Sequence, residues 1–541
     1  MRSWIRFAAA AAVFAALASG CTREPIRATE GAGAADGAGF AAESAPRWHG
    51  GTMRIGIAAV ASLDPALATG ASQSQNLLAD LLYDGLTAYD PAGGRVVGAV
   101  ARSWSVSGDG LTWSFRIDPA ARFSDGRPIT APDVKASIER VIALGVKSVS
   151  GVRLTTVQGA PEFVDKKTTG GVRGIVAVDP AVLEIHLSSP MSTLAELLAD
   201  PAFGIVPDGT STDPAAFAGR PRGSGPFSVD QRTDSALSLA RSVGSDAQLD
   251  RVELRTYADA AAAYAGFVAG EVDATIVPPN DAAAAKQHGA QVLAASEQVS
   301  VFYGMNLASS ALSSLPLRQA ILKSVDREAI RAKYFDGLAT VMTGVIGPGA
   351  VGRRDNGCGT ACTYDPAAAT ALVQAAFPGA AVPTVHLDYF DEPTGREAGV
   401  AGDIAGYLRA VGIPAEVRGH TFDEFQTVPT SGTAELFRFG WIGSYPSGDA
   451  YLASLFESKG TDNVFSVADA TLDTEIVKAR AELDESARVT HELAAEDRVF
   501  ALAVLLPIAQ YTTRLVASQK VQDLVLGPNG SFDAAKVWLA L

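Results

Sequence analysis

Strand-like and helix-like segments alternate along almost the whole chain, and this alternation restricts the fold more than any other feature of the sequence. TMRIGIAAV at 52–60 is typical of a strand, and VDATIV at 272–277 predicts a buried one. Helical spacing of apolar residues appears in SQNLLADLLYDGL at 74–86 and in LPLRQAILKSVDREAIRAKYF at 315–335. Further helices are predicted at 365–376, 395–411 and 485–503, and a further strand at 299–307. Such alternation predicts an α/β protein with mixed sheets. At 541 residues the chain also exceeds what one hydrophobic core usually supports, so two or more domains are expected.

The first 21 residues, MRSWIRFAAAAAVFAALASGC, predict an export signal. Arg2 and Arg6 precede an apolar stretch that is too short to span a bilayer comfortably, and small residues lead up to Cys21. This end resembles a bacterial lipoprotein signal, in which residues 1–20 are removed and Cys21 is lipidated. An ordinary signal peptide with an incidental cysteine is the alternative. Residues 21–50 are rich in Gly and Ala and predict a flexible tether.

The charge balance and the absence of catalytic motifs exclude several classes of function. With 59 acidic and 44 basic residues the formal net charge is −15, so the surface repels phosphate backbones and a nucleic-acid partner is not expected. The sequence contains no GxSxG, P-loop or GxGxxG motif. Its six histidines show no metal spacing, and HELAA at 491–495 lacks the second histidine of a zinc protease. We therefore expect no catalytic residues, no metal site, no cofactor and no enzymatic activity.

Two further cysteines lie close together in a glycine-rich stretch. Cys358 and Cys362 are spaced as CGTAC, and in an exported chain this spacing favours a local disulfide. A metal site, the alternative, would need further Cys or His residues nearby, and the sequence has none within twenty residues.

The stretch FSDGRPITAPDVKASIER at 123–140 combines acidic residues, prolines and a helix start, and could be mistaken for a catalytic loop. Thr130 is suited to cap a helix, Pro132 is tolerated in the first turn, and Asp133 suits the positive end of the helix dipole. Each polar residue therefore has a structural role, and the stretch is interpreted as scaffold.

Together these segments resemble the extracellular solute-binding protein family 5, the peptide- and nickel-type binding components of ABC importers. The densest match is VARSWSVSGDGLTWSFRIDPAARFSDGRPITAPDVKASIERV at 100–141. It is followed in family order by GSGPFSV at 223–229, GEVDATIV at 270–277 and LPIAQYT at 506–512. The resemblance covers about residues 51–520.

The resemblance implies a two-lobe periplasmic-binding-protein-like fold of type II, with mixed sheets and an extra subdomain on the first lobe. It places lobe I at 51–80, 191–298 and 509–541, the extra subdomain at 81–190, and lobe II at 299–508. The implied function is that of a solute-binding lipoprotein of an ABC importer. Such a protein captures a peptide or peptide-like solute between its lobes and delivers it to the permease subunits. A monomer is expected, lipid-anchored to the outer face of the cytoplasmic membrane or periplasmic.

The resemblance also points to ligand-binding residues, with one departure. In peptide-binding members an acidic residue three positions after a Gly-Trp pair grips the α-amino group of the peptide. Here the pair is Gly440-Trp441, and the third position after Trp441 is Ser444. A buried ammonium facing a hydroxyl lacks charge compensation, so a conventional free-amine peptide is in doubt. Asp449 is a possible substitute at a different position.

The remaining candidates come from three segments that should face the cleft. Arg438 matches an arginine that meets the ligand carboxylate in some members, with a structural ion pair as the alternative. Trp441 is either an aromatic wall of the cleft or part of the core. Asn306 has a backbone-bonding role as its alternative. The other candidates are Phe302 and Tyr303 on a crossing strand, and Thr69 and Ser72 in the loop after SLDP.

Two functional alternatives remain open at this point. A sensory or regulatory binding protein would use the same fold without transport. An importer component could also take a non-peptide solute, such as a glycoside, an opine-like acid or a metal chelate.

Overall fold

The computed structural model describes residues 50–540 apart from gaps at 69–71, 146–150, 166–169, 279–280, 336, 444, 528–529 and 531. The predicted signal at 1–20, the lipidation site Cys21 and almost all of the predicted tether therefore lie outside the described residues. Two candidate ligand-binding residues, Thr69 and Ser444, lie outside them as well.

The strands of the described residues run in chain order as follows: β1 (Thr52–Ile57), β2 (Thr87–Asp90), β3 (Arg95–Gly98), β4 (Ala101–Val106), β5 (Thr112–Ile117), β6 (Ile175–Asp179), β7 (Val182–His186), β8 (Phe227–Arg232), β9 (Ala236–Arg241), β10 (Arg251–Thr256), β11 (Ala274–Ile276), β12 (Gln291–Met305), β13 (Ala339–Val341), β14 (Val385–Phe390), β15 (Ala415–His420), β16 (Leu436–Ile442), β17 (Leu505–Ala517), β18 (Val521–Gln522) and β19 (Trp538–Leu539).

The α-helices are α1 (Gln73–Leu82), α2 (Ala131–Leu144), α3 (Ala160–Val164), α4 (Leu194–Leu197), α5 (Ala260–Val268), α6 (Ala282–Gln287), α7 (Leu315–Ser324), α8 (Arg327–Tyr334), α9 (Pro366–Ala376), α10 (Arg396–Ala410), α11 (Phe422–Phe425), α12 (Asp449–Phe456), α13 (Ala470–Ala481) and α14 (Glu485–Ala501). The sequence predicts one helix over 315–335, which is wrong. The helix is interrupted between α7 and α8, where the side chain of Asp326 accepts a hydrogen bond from the backbone NH of Ala329 and starts a second helix.

One large sheet runs through the whole molecule. Its strand order is β15-β14-β16-β12-β17-β11-β1-β10-β9-β8, and β13 also pairs with β17. Parallel pairs (β1 with β10, β14 with β15) and antiparallel pairs (β12 with β16 and β17) occur together. The prediction of an α/β protein with mixed sheets is therefore confirmed. We call the half with β1 and β8–β11 lobe I, and the half with β13–β16 lobe II.

The two halves of this sheet are joined by β12 and β17, which are long strands that pair with each other across the junction. Their register shifts twice, between Ser296 and Ser300 and again between Val301 and Phe302. Ser296 faces Thr512 and Ser300 faces Gln510, so β12 has two residues more than β17 in the first interval. Bulges of this kind bend and twist a strand pair, and we call this junction between the two halves of the sheet the hinge.

A smaller four-stranded sheet, β4-β5-β7-β6, and the β2-β3 hairpin lie within residues 81–190. Helix α2 packs on this sheet and begins with a capping box, in which Asp133 accepts hydrogen bonds from the backbone NH (2.9 Å) and the hydroxyl (2.7 Å) of Thr130. Asp133 also pairs with Arg127 at 2.8 Å. Polar residues of the 123–140 stretch therefore form structural contacts with one another, in agreement with its interpretation as scaffold. The predicted domain boundaries themselves stay a prediction.

The apolar residues form two main clusters, and their division does not follow chain order. Ile55 and Leu81 belong to the core of lobe I. Phe115 and Ile138 of the smaller subdomain belong to the same continuous cluster as Phe437 of lobe II. The subdomain therefore packs against both lobes.

Cys358 and Cys362 are joined by a disulfide and are both buried. The backbone carbonyl of Cys362 accepts a hydrogen bond from Arg327 at 2.7 Å, which ties the disulfide loop to α8.

None of the helices in the described ranges is long and apolar enough to cross a membrane. In the same ranges no three His, Cys, Asp or Glu side chains are grouped so that they could hold a metal ion.

Candidate functional site

The start of α1 meets both crossing strands at the hinge. Ser72 caps the helix by accepting a hydrogen bond from the backbone NH of Gln75 at 3.3 Å. The next residue, Gln73, donates its side-chain amide to Glu297 of β12 at 2.8 Å. The hydroxyl of Thr513 on β17 donates to the same carboxylate oxygen at 2.7 Å. The three segments are thus linked through one acidic side chain.

The hydrogen-bond partners of Glu297, an amide and a hydroxyl, are both neutral. Its carboxylate is partly buried, and burial raises the pKa of Glu297, while the hydrogen bonds from Thr513 and Gln73 oppose that rise. Among the residues that the structure describes, no Lys, Arg or His forms an ion pair with it.

Beside this hinge lies a cleft of about 650 Å³. Asn76 and Tyr83 of lobe I line one side, the segment 97–100 of the subdomain lines another, and Gln298 and Tyr445 lie at the junction with lobe II. Asn76 and Gln298 are each 1% exposed. In the part of the chain that the structure describes, neither the two amide atoms of Asn76 nor the side-chain oxygen of Gln298 has a hydrogen-bond partner. Buried amides in this state are rare and are typical of a place where a solute or water completes the bonding.

The lining of the cleft is strongly acidic. Eight carboxylates face two basic residues, Arg122 and Lys536; the eight are Asp80, Asp84, Asp90, Asp118, Glu196, Asp200, Asp246 and Asp533. Burial, with the nearby charges of Asp533 and Asp246, raises the pKa of Asp84 to about 7. A concave surface of this charge attracts cations and repels anions.

Arg438, the candidate contact for a ligand carboxylate, is engaged inside lobe II. Its Nε atom lies 3.1 Å from Glu397, which is completely buried, and its guanidinium lies 5.3 Å from the centre of the Phe390 ring. Arg396 lies 3.4 Å from the same carboxylate. The structural ion pair that we gave as the alternative is therefore present, and one carboxylate is shared by two guanidinium groups.

Trp441 and Asp449 also form hydrogen bonds within the protein. The Trp441 indole NH donates to the carbonyl of Ala450 at 2.7 Å, and the side chain is buried. The carboxylate of Asp449, the possible substitute anchor, accepts a hydrogen bond from Tyr445 at 2.7 Å and one from Thr193 at 3.3 Å. Asp449 is thus committed to a buried polar network.

The candidates on β12 and just after it lie deep in the structure. Phe302 stacks in an aromatic group with Phe439 (5.5 Å between centroids) and Phe465 (6.1 Å). Tyr303 is completely buried, and its hydroxyl has no partner. Asn306 bonds the backbone on both sides, donating to Ala434 and accepting from Ala308, each at 3.0 Å. This is the alternative role given for Asn306.

Polar residues around α4 connect the subdomain side of the cleft with lobe II. Ser192 donates its backbone NH to Arg480 at 2.9 Å and its hydroxyl to Ala479 at 3.0 Å. Glu196 forms a 2.8 Å ion pair with the buried guanidinium of Arg488. We call the contacts of residues 192–196 with α12–α14 the α4 contact.

Close to the α4 contact, Glu492 is 1% exposed and accepts a hydrogen bond from Ser447 at 3.2 Å. Burial raises the pKa of Glu492 to about 7, although the positive charge of Arg488 opposes this rise.

Sequence reasoning missed the polar group at the hinge, namely Gln73, Asn76, Glu297 and Gln298. A signal for the last two exists, because Ser296-Glu297-Gln298 places three polar residues directly before the apolar run VSVFYGM. Strands buried on both faces are near-continuous apolar runs, so these three polar residues mark where the pattern of the strand changes.

The family model for bacterial extracellular solute-binding proteins, family 5 (middle region), matches residues 95–463. The chain belongs to the extracellular solute-binding proteins of family 5. In sequence, this family 5 protein is 23% identical over 466 residues to the periplasmic murein peptide-binding protein MppA of Escherichia coli, covering 84% of this chain and 86% of the relative. It is 26% identical over 381 residues to a putative ABC transporter peptide-binding protein of Brucella ovis, covering 67% of this chain and 68% of that relative.

Solved structures resemble the family 5 protein over almost its whole length. The unliganded open form of the murein tripeptide-binding protein MppA covers 92% of this chain and 99% of its own, with a TM-score of 0.79 and 21% identity. The clavulanic acid biosynthesis oligopeptide-binding protein 2 covers 92% and 97%, with a TM-score of 0.79 and 25% identity. The binding protein AgaA in complex with agropinic acid has a TM-score of 0.68 and 22% identity, covering 90% and 99%. The predicted two-lobe fold is confirmed by these likenesses.

Proposed function

We propose that this family 5 protein is the solute-binding lipoprotein of an ABC importer. It captures a peptide or peptide-like solute between its lobes and delivers it, chemically unchanged, to the permease subunits. The observation that carries the proposal is a set of buried amide atoms without partners among the described residues, both of Asn76 and the oxygen of Gln298, in a cleft at the strands that join the lobes. A solute that supplies the missing hydrogen bonds would bind both halves of the molecule at once.

The peptide class is supported by relatives whose names describe peptide binding. The predicted N-terminal segments complete the proposal. Lipidation of Cys21 anchors the protein at the outer face of the cytoplasmic membrane, and the 21–50 tether gives a monomer reach to its permease.

A second candidate ligand class is a non-peptide solute such as an opine-like acid. Ser444 stands where peptide-binding members place their carboxylate, and AgaA, which resembles this chain in fold, was solved with agropinic acid. The candidate contacts Arg438, Trp441, Phe302, Tyr303, Asn306, Ser72, Thr69 and Ser444 remain proposals for either ligand class.

Native mass spectrometry of freshly purified protein tests this function. We expect a non-covalent adduct that is released on denaturation and that fragments as a peptide. A released compound without amide bonds would contradict the peptide class and favour the second candidate. The absence of any adduct, together with an unchanged Tm in mixed tripeptides, sugars and metal chelates, would contradict solute capture.

The position of Ser444 can be tested directly. If the missing carboxylate limits binding of free-amine peptides, Ser444→Asp should strengthen the binding of a mixed free-amine tripeptide pool, measured by calorimetry. Ser444→Ala is the matched control and should leave the affinity unchanged. Equal affinities in both variants would show that position 444 does not contact the amine.

A further inference from the structure

Glu297 differs in its partners from three buried carboxylates, Glu397, Glu496 and Asp273, each of which pairs with a basic residue. Glu397 pairs with Arg438 at 3.1 Å, and Glu496 pairs with Arg354 at 2.8 Å. Asp273 pairs with Arg54 at 2.8 Å and with Lys520 at 2.6 Å. Glu297 instead receives hydrogen bonds from an amide and a hydroxyl, those of Gln73 and Thr513. Its negative charge is therefore not compensated by a basic residue within the described part of the chain.

Glu297 lies at the junction between the two lobes. It lies in the interval of β12 where the register with β17 shifts, so it sits on the hinge. Gln73, its partner from α1, lies on the same helix face as Asn76, three residues on. Within the described ranges, both amide atoms of Asn76 and the side-chain oxygen of Gln298, the residue after Glu297, are buried without a hydrogen-bond partner. An uncompensated carboxylate and unsatisfied amides thus occur together where the two lobes meet.

An uncompensated carboxylate in a partly buried site is unfavourable for the ligand-free protein, because burial removes its hydration without replacing it by an opposite charge. Groups of this kind concentrate at functional sites, where a ligand supplies the missing charge. The acidic cleft, which Gln298 lines and which Glu297 adjoins without lining it, attracts the same kind of ligand.

A group with the opposite charge lies beside Tyr511. Arg396 and Arg438 share the single carboxylate of Glu397, which leaves one positive charge in excess, and the Arg396 guanidinium lies 6.0 Å from the centre of the Tyr511 ring. Burial raises the pKa of the Tyr511 phenol; the charges of Arg396 and Arg438 lower it, and those of Glu397 and Glu297 raise it.

We propose that Glu297 receives the positively charged group of the captured solute, in place of the carboxylate that is absent at position 444. The solute class is then one that carries a primary amine or a guanidinium. This inference rests on the proposed solute capture and names the group that decides its specificity.

The test uses purified protein and the variant Glu297→Gln, which keeps the shape and the hydrogen-bonding oxygen of the side chain but removes its charge. Glu475→Gln is the matched control, since Glu475 is also partly buried but lies on α13, where it pairs with Lys478 at 2.9 Å. The probes are a mixed free-amine tripeptide pool, the same pool N-acetylated, L-arginine and spermidine. Tm shifts and calorimetric Kd values are measured for the wild type and for both variants.

We expect at least one cationic probe to bind the wild type and the Glu475→Gln variant alike, and to bind Glu297→Gln at least about tenfold more weakly. Without ligand, Glu297→Gln should melt at the wild-type temperature or above, because a neutral amide is easier to bury than an uncompensated carboxylate. A purely structural carboxylate would instead give a lower Tm on substitution, and this result would overturn the inference.

Other outcomes separate this inference from the proposed function. Binding of the acetylated pool alone would overturn the role of Glu297 and leave peptide capture standing. Binding of arginine or spermidine but not of either pool, lost in Glu297→Gln, would support Glu297 and contradict a peptide ligand. Binding of no cationic probe to the wild type, or equal binding to Glu297→Gln, would overturn the inference.

Discussion

At the scale of single residues, the buried charges of this protein fall into groups with different consequences. Glu397 and Arg438 compensate each other inside lobe II, and neither is more than 8% exposed. Glu492 carries a carboxylate in a site that favours its neutral form, with a pKa raised by burial to about 7. Substituting these residues should therefore change stability in opposite directions.

Glu397→Gln is expected to destabilise the protein by about 3 kcal/mol, because it leaves the buried guanidinium of Arg438 without its charged partner. Urea or thermal unfolding measures this loss. The double variant Glu397→Gln/Arg438→Gln serves as the control and should recover part of the loss, because the buried charge is removed together with its partner. A double variant as unstable as the sum of both single variants would show that the two residues do not interact.

Glu492→Gln is expected to stabilise the protein at pH 8 by about 1–3 kcal/mol and to have little effect near pH 4.5. The folded pKa of about 7 lies above the ordinary value of 4.5. Between these values the folded state holds a proton that the unfolded state has lost, so the stability contributed by Glu492 is full below pH 4.5 and falls as the pH rises through 7. Tm measured from pH 4.5 to 8 checks this, and a gap between variant and wild type that does not widen with pH would contradict it.

At the scale of elements, the α4 contact ties the segment directly after the subdomain to lobe II across the side of the cleft. Glu196 pairs with Arg488, whose side chain is 4% exposed, whereas Glu485 lies 3.8 Å from the same guanidinium and is 68% exposed. The two carboxylates therefore form a matched pair for testing the contact.

Glu196→Gln should lower the Tm by several degrees and weaken solute binding, since Arg488 loses its buried partner and the contact beside the cleft loosens. Glu485→Gln should change neither by a measurable amount, because exposed ion pairs contribute at most about 1 kcal/mol. Thermal melts and calorimetry with the solute identified by mass spectrometry give both quantities. Equal effects of the two substitutions would mean that burial of the pair does not matter.

The helices were largely predictable because their ends are marked by local signals. The sequence predicts helices at 365–376, 395–411 and 485–503, and the structure has α9, α10 and α14 at nearly the same positions. Asp365 caps α9 and Asp484 caps α14, each within three residues of the backbone NH that it bonds. In contrast, β12 begins at Gln291, eight residues before the strand-like run at 299–307, because its first half is defined by pairing with distant β17.

The candidate site was harder to predict for the same reason. The hydrogen-bond partners of the Glu297 carboxylate are Gln73 and Thr513, which are 224 and 216 residues away along the chain. The role of Arg438 likewise depends on Glu397 of a different element, 41 residues away. Family resemblance named candidate contacts, which stay predictions, and none of those in the described residues lines the cleft. The compensation of each charge depends on contacts between distant parts of the sequence.

At the scale of the whole molecule, two lobes joined by a strand pair should close on a bound solute. A saturating solute at about 100 times its Kd is expected to stabilise the folded protein by about 2.7 kcal/mol and to reduce its radius of gyration. Calorimetry and small-angle X-ray scattering on the same samples measure these changes. A higher Tm with an unchanged radius would show that binding does not move the lobes.

The bulged interval between the two crossing strands should localise this motion. Between Ser296 and Ser300, β12 carries two residues more than β17 does between Thr512 and Gln510. Extra residues disrupt the hydrogen-bond ladder locally and bend the strand, so this interval should deform more easily than the regularly paired strands on either side. Opening and closing of the lobes should therefore pivot there, while the paired parts of both strands keep their register.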